Sequence, residues 1–344
     1  MVVQAENPIT LRFQSTWPTR DLFHELALDF AKKVNEMSGG RLRVEMLPAG
    51  AVVKAFNVLD AVHRGLIDGG HGVCAYWYPR NSAFSLFGSG PALGLDGNML
   101  LAWMEYGGGR QLYAELMQTT LRLNVEGFLY GPLGTQPLGW FKRAINNAED
   151  LRGLRYRTVG LPADLMKELG AEPVRLAGQE IVQALERGTI DAAEFNNPSS
   201  DRALGFPEVA KLCYLQSFHQ PAEVFEVLVN KRRFQSLPPA LRTVFKCATQ
   251  AASAEASWKT ADRYATDYYE MRNRMGVRFV KTPDSVLRAQ LEAWRRVVQA
   301  RSAENPLFDK IFQSQQEFAR RAAGYQLDAS VSQLMAYEFW YGKR

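Results

Sequence analysis

At 344 residues the chain exceeds one typical domain of about 100–150 residues and predicts two lobes. Apolar residues make up 47% and charged residues 22%, enough for a large core, which excludes disorder as the main state. No stretch approaches about 20 uninterrupted apolar residues, and the net charge of +5 is scattered, which excludes a spanning helix and a basic nucleic-acid groove.

Thr10 to Ser15 reads as a short strand. Leu22, Leu26, Phe30, Val34 and Met37 recur at helical spacing and stop at Gly39-Gly40. Leu42, Val44 and Met46 alternate as a strand with one buried face. Val58, Leu59 and Val62 belong to a helix ending at Arg64-Gly65, where glycine supplies a left-handed cap. This strand–helix alternation predicts an α/β layer structure. Gly107-Gly108-Gly109 follows no strand and reads as a turn, not a phosphate cradle. From about Pro238 the chain turns helical, with Leu241, Val244, Phe245 and Ala248 on one face. A short strand at 277–280 precedes further helices at 287–298, 308–323 and 331–341, which either brace the lobes or form a partner surface.

Ten residues echo each other. Ala61-Val62-His63-Arg64-Gly65-Leu66-Ile67-Asp68-Gly69-Gly70 returns as Ala184-Leu185-Glu186-Arg187-Gly188-Thr189-Ile190-Asp191-Ala192-Ala193, five positions being identical. Helix–Gly–strand junctions converge on such residues by themselves, but the sharper reading is two related α/β lobes facing across a cleft. In that case His71–Tyr78 and Glu194–Asn197 line the cleft, beyond the carboxyl ends of the strands.

Cys74, Cys213 and Cys247 are too far apart for a disulfide framework or a CxxC site and read as three small buried hydrophobes. Val3-Gln4-Ala5 resembles the end of a secretory leader. The four histidines, His24, His63, His71 and His219, form no HxH or HExxH pair. No GxSxG elbow or GxxxxGK[ST] loop is present.

What remains suits holding an acid. Arg155 and Arg157 share one face of a strand, and Arg157 near its end can offer a carboxylate two parallel hydrogen bonds; an exposed strand arginine is the alternative. Glu194 follows apolar Ile190 and Ala192-Ala193, so its carboxylate ends a buried strand and needs a partner. Gln136 lies in a Gly/Pro loop, and Phe218-His219-Gln220-Pro221 ends another strand. Two amide oxygens, one carboxylate and a backbone carbonyl make an oxygen-only site suited to Na⁺ or Ca²⁺.

Ordered motifs carry a family resemblance over nearly the whole length: Gly39-Gly40-Arg41-Leu42, Leu47-Pro48-Ala49-Gly50, Thr135-Gln136-Pro137-Leu138-Gly139-Trp140-Phe141, Leu151-Arg152-Gly153-Leu154-Arg155-Tyr156-Arg157, and Gly188 through Phe195. Leu204-Gly205-Phe206, Phe218-His219 and Val229-Asn230-Lys231 continue it in register. The chain resembles the solute-binding proteins of TRAP (tripartite ATP-independent periplasmic) transporters, in the branch that binds 2-oxo and 2-hydroxy acids with a metal cation.

The resemblance implies an α/β, two-lobed periplasmic-binding-protein-like fold with mixed sheets, hinge-connected lobes and a C-terminal helical region. The expected division is 8–130 with about 216–258 as the first lobe, 131–215 as the second, and 259–344 bracing them. It implies Arg157 on the substrate carboxylate, and Gln136 on both ligand and cation. Glu194, the Phe195 carbonyl and Gln220 would complete the metal set. Phe195 stands where Trp is frequent, and Gln220 where some relatives carry Glu, so the choice between Ca²⁺ and Na⁺ stays open. Tyr78 is the expected aromatic contact with Tyr76 second, both packing in the hinge being the alternative; Asn196 and His219 complete the ligand set. The implied protein is periplasmic, not an enzyme, and delivers a small organic acid to a membrane-embedded permease. It binds no nucleic acid, and its late helices allow a homodimer. Two rivals are a metal-free binder of sugar acids or other carboxylates, with Glu194 bonding ligand hydroxyls, and an enzyme acting on small acids with His219 as general base.

Overall fold

The computed structural model describes residues 7–343, so the leader-like Val3-Gln4-Ala5 lies outside the described residues. Eleven strands are described: β1 Ile9–Ser15, β2 Leu42–Leu47, β3 Gly69–Gly72, β4 Val125–Leu133, β5 Gly139–Phe141, β6 Arg155–Arg157, β7 Glu172–Val174, β8 Ala192–Ala193, β9 Leu212–Leu215, β10 Glu223–Asn230 and β11 Arg278–Lys281. They form two mixed sheets, ordered β2-β1-β3-β10-β4 and β11-β9-β5-β8-β6-β7. One strand in each runs against its neighbours on both sides: β10 against β3 and β4, and β5 against β8 and β9. This is the two-lobed α/β architecture the sequence implies.

Local chemistry explains the elements. Asp21 caps the helix Leu22–Met37 by accepting from the Phe23 N–H, and the helix buries Leu22, Phe23, Leu26, Phe30 and Val34. It ends where Gly39 and Gly40 take positive φ, 62° and 77°. In β2, Leu42, Val44 and Met46 face inward while Arg43 and Glu45 face water. Phe13, Phe30, Phe128, Phe234 and Phe245 pack edge to face or tilted, with ring centroids 5.4–6.4 Å apart, and anchor the first lobe's core.

The ten-residue echo is a repeated construction. Gly65 and Gly188 both leave their helices with left-handed φ, 75° and 69°. Asp68 then exchanges bonds with Arg12 of β1, its amide donating to the Arg12 carbonyl at 2.8 Å and its carboxylate accepting the Arg12 N–H at 2.8 Å. Asp191 does the same with Arg155 of β6, at 2.8 and 2.9 Å. Each junction thus locks the next strand beside its parallel neighbour, β3 beside β1 and β8 beside β6.

The chain crosses between sheets from β4 to β5 and again from β9 to β10. These crossings run side by side: the Gln136 N–H donates to the Gln220 carbonyl at 3.1 Å, and the Thr135 hydroxyl to the Pro221 carbonyl at 3.0 Å. A third link is the helix Pro239–Arg274, which continues unbroken through the division expected at 258 and leads to β11 in the second sheet.

The late helices divide into a packed pair and an exposed third. Asp284–Glu304 lies on the second lobe, where Arg301 grips Asp164 and Arg296 meets Glu168. Pro306–Ala329 lies on the first, where the Ser314 hydroxyl accepts from Trp103 at 3.1 Å and Lys310 pairs with Glu115 at 2.6 Å. The two are consecutive, so they brace the lobes. Gln333–Tyr341 instead buries nothing and exposes Leu334, Met335, Phe339, Trp340 and Tyr341. Cys74 and Cys213 are buried as expected; Cys247 is exposed, because it falls on the solvent side of Pro239–Arg274, between the inward Phe245 and Ala248. No helix among the described residues is long and apolar enough to cross a membrane.

Candidate functional site

The end of β6 and the end of β8, the strand that closes the second echo, build the centre of the site. Arg155 and Arg157 share a face of β6, yet their fates differ. Arg155 is held at the surface by a two-pronged pair with Asp191, at 3.0 and 2.7 Å. Arg157, at the strand end, is 1% exposed. Its Nη1 donates to the Glu194 carboxylate and to the Glu194 carbonyl, both at 3.0 Å. Its Nε and Nη2 donate to the Leu176 carbonyl at 3.0 and 2.9 Å. Those four bonds leave only an Nη2 N–H without a described partner. The unoccupied fork expected from the sequence is therefore half engaged, and a two-pronged grip on a carboxylate needs Glu194 to yield at Nη1.

Glu194 follows β8 directly and is as buried as its partner. Burial raises its carboxyl to about 7, a rise the Arg157 charge opposes. Phe195 walls the pair: the Arg157 guanidinium lies 5.4 Å from its ring centroid, and the ring stacks on Phe206. Its other neighbour is Gly178, where any Cβ would come within 2.7 Å of the ring. Asn196 is buried beside it and accepts from Asn197 at 3.2 Å.

The crossings supply two amides. Gln136 and Gln220 are 3% and 1% exposed, and the side-chain oxygen of each is buried without a partner among the described residues. Their nitrogens turn to Glu223, the first residue of β10: Gln136 Nε2 donates to Oε2 and Gln220 Nε2 to Oε1 at 3.5 Å. Burial raises the Glu223 carboxyl to about 8, with the Glu194 charge adding to the rise. Sequence reasoning missed Glu223. The signal was present, since a glutamate opening the apolar run Val224 to Val229 needs a partner for the reason given for Glu194.

Two further residues are placed differently from expectation. The buried Tyr76 packs on Trp17, Phe56 and Trp77, and its phenol lies near enough to feel the charges of Arg157, Glu223, Asp21 and Glu194. Tyr78, the residue expected first, points elsewhere. Its hydroxyl donates to Asp164, which Arg301 holds with two bonds at 2.8 and 2.9 Å. His219 is fully buried, with Nδ1 on the Ser217 hydroxyl at 2.7 Å and Nε2 without a partner among the described residues. Burial lowers its pKa to about 3, so the imidazole stays neutral.

The lobes meet around this centre. Ser200 donates to Asp21 at 2.5 Å, and the Leu161 N–H to Ser85 at 3.0 Å. Arg175 donates to the Tyr76 carbonyl at 2.9 Å with its guanidinium 3.7 Å from the Phe56 centroid.

The donor set fits a hard cation. Among the described residues no three His, Cys, Asp or Glu side chains gather as a metal-holding group. The unpartnered oxygens among the described residues include those of Gln136 and Gln220, with the Glu223 carboxyl against both amides and the Glu194 charge acting on it, and such oxygens suit Na⁺ or Ca²⁺.

Comparison with known proteins shows the family. Residues 13–305 match the DctP family, described as bacterial extracellular solute-binding protein, family 7. The chain belongs to that family. This solute-binding protein is 31% identical to the monocarboxylate 2-oxoacid-binding periplasmic protein of Nostoc sp., over 93% of this chain and 86% of the relative. A TRAP transporter solute-binding protein from Bordetella bronchiseptica RB50, a dimer with co-purified calcium and picolinate in one site, matches with a TM-score of 0.91 and 27% identity. That match covers 97% of this chain and 98% of the other. A TRAP periplasmic solute-binding protein from Pseudoalteromonas atlantica T6c, with bound sodium and pyruvate, matches with a TM-score of 0.87 and 27% identity over 94% and 97% of the two chains.

Proposed function

We propose that the protein is the periplasmic receptor of a TRAP transporter, capturing a small 2-oxo or 2-hydroxy monocarboxylate together with Ca²⁺ or Na⁺ and delivering it to the membrane permease. The observation that carries this reading is a set of buried groups linked through Glu223: the two unpartnered amide oxygens of Gln136 and Gln220, whose nitrogens turn to Glu223, and the Arg157–Glu194 pair, whose charges Glu223 feels. Similar proteins hold pyruvate or picolinate with such a cation, which supports the same class of ligand here.

Arg157 offers its Nη2 N–H to the acid, and Glu194 yields Nη1 to complete the fork. The Gln136 and Gln220 oxygens, the Glu194 carboxylate and the Phe195 carbonyl would hold the cation. The cation supplies positive charge that draws the ligand's carboxylate and 2-oxygen toward these groups. Tyr76 and Phe195 exclude water from the anion, and Tyr76 and His219 bound the pocket. Because the contributing residues come from both lobes and both crossings, the ligand favours the closed arrangement over the open one.

A general base works best with a pKa near the operating pH, and His219 at about 3 is far below it. The exposed apolar helix Gln333–Tyr341, and the dimer described for the Bordetella protein, support pairing of two copies.

Calorimetric titration with pyruvate, with Ca²⁺, with Na⁺ and after chelation, tests the reading. Heat of binding that weakens when both cations are removed is expected. Failure of pyruvate and a panel of 2-oxo and 2-hydroxy acids to bind under any condition would overturn it.

A further inference from the structure

Gln136 and Gln220 each have an amide with one donating end and one accepting end, and nothing in either side chain decides which end faces the site. Their neighbours decide it. The two residues lie on adjacent crossings, joined by the Gln136 N–H to the Gln220 carbonyl at 3.1 Å. Glu223 sits against both and is 3% exposed. The Glu223 carboxyl oxygens take the nitrogen end of each amide: Gln136 Nε2 donates to Oε2, and Gln220 Nε2 to Oε1 in a long bond of 3.5 Å. Both amide oxygens are thereby turned away from Glu223, and both are buried without a partner. Native interiors rarely leave an acceptor unmade, and two oriented by one carboxylate mark a place prepared for a positive group.

We propose that Glu223 is a positioning residue that aims the Gln136 and Gln220 oxygens at the cation, and supplies a second negative charge beside Glu194. The inference rests on the cation-linked binding proposed above. It assigns this chain's specificity for the ion to a residue outside the expected ligand set.

Glu223→Gln is nearly isosteric but carries an NH₂ that can donate to either amide oxygen, so the two amides lose their fixed orientation. In the presence of pyruvate, Ca²⁺ affinity read by calorimetry falls tenfold or more. The metal-free protein gives an independent readout: the Gln136 side-chain amide protons exchange slowly with solvent in the parent and quickly in the variant. Moving the carboxylate back by Gln220→Glu in the Glu223→Gln background restores Ca²⁺ affinity to within about threefold, a rescue that a general packing defect would not show. If Glu223→Gln does not fold by circular dichroism, Glu223→Asp serves, since its shorter carboxylate cannot reach both amides; a loss of at least about threefold is expected. A parent protein whose pyruvate binding ignores both Ca²⁺ and Na⁺ overturns the cation-linked function itself. A parent that responds to Ca²⁺, with folded variants that bind it equally well and keep slow Gln136 exchange, overturns the role of Glu223 alone.

Discussion

Arg157 meets a carbonyl, a carboxylate and an aromatic face from one planar group, a combination that an ammonium cannot reproduce. Arg157→Lys is therefore expected to weaken pyruvate binding at least tenfold, about 1.4 kcal/mol, in a calorimetric titration; unchanged affinity would remove Arg157 from the site. A second prediction concerns Asp201, whose carboxylate accepts from Trp140 at 2.7 Å and is buried. Burial raises its pKa from 3.8 to about 8. Between those values the folded protein keeps a proton that the unfolded chain has lost, so stability is full below about pH 4 and declines as pH rises toward 8. Asp201→Asn keeps the acceptor for Trp140 and removes the titration, so its Tm should fall less steeply from pH 5 to pH 8. Asp21, Glu194 and Glu223, raised to about 6, 7 and 8, act in the same direction and leave a residual slope. An identical Tm–pH profile in the variant would refute the assignment. At this scale the sequence was legible where a motif or a buried-charge argument named one position, as for Arg157, Glu194, Gln136 and Gln220. It was not legible where the answer was a phase. Tyr76 lies in the short 3₁₀ turn Cys74–Trp77, with about three residues per revolution, and Tyr78 caps its end. Two positions on such a turn point in different directions, and only the structure shows which phenol lies near the cluster.

The secondary elements were legible because their signals were local. Apolar periodicity and paired glycines bounded the helix Leu22–Met37, and strict alternation marked β2. The short strands β5, β6 and β8 are only two or three residues long, and their partners come from distant parts of the chain. No periodicity can develop over so few residues, so the second sheet's order emerges only in three dimensions. Gly139 shows what holds it together. It sits at φ 127° at the start of β5, and an added Cβ would approach the Ala193 carbonyl oxygen to 2.4 Å and the Glu194 nitrogen to 2.9 Å. These are backbone atoms of the strand end that presents Glu194, so they have no side-chain freedom with which to give way. Gly139→Ala should separate β5 from β8 and displace Glu194 from Arg157. The expected result is a Tm lowered by several degrees, for a cost of about 1–3 kcal/mol, with pyruvate affinity falling too. Full affinity and an unchanged melt would show that this strand contact does not position the site.

Across the whole molecule, the consecutive helices Asp284–Glu304 and Pro306–Ala329 take one lobe each, and the chain then leaves the body. Helical spacing predicted each of these helices but could not tell a brace from a partner surface, because an amphipathic face reads the same whichever protein covers it. The burial pattern separates the two. Phe308, Ile311, Ala319 and Ala323 are covered by the first lobe, whereas Leu327, Val331, Leu334, Met335, Phe339, Trp340 and Tyr341 are left largely exposed. An apolar helix standing in water without covering its own core is costly, and soluble monomers seldom keep such a patch. A second copy of the chain, offering the same helix, would bury both at once under two-fold symmetry. Ending the chain at Ser330 removes no buried residue among those described, so the two lobes and their brace should keep their Tm to within a few degrees. Sedimentation velocity is expected to find the full chain as a dimer and the shortened chain as a monomer, with pyruvate binding retained in both. A full-length protein that sediments as a monomer at tens of micromolar would remove the second copy, and the exposed helix would then need another partner.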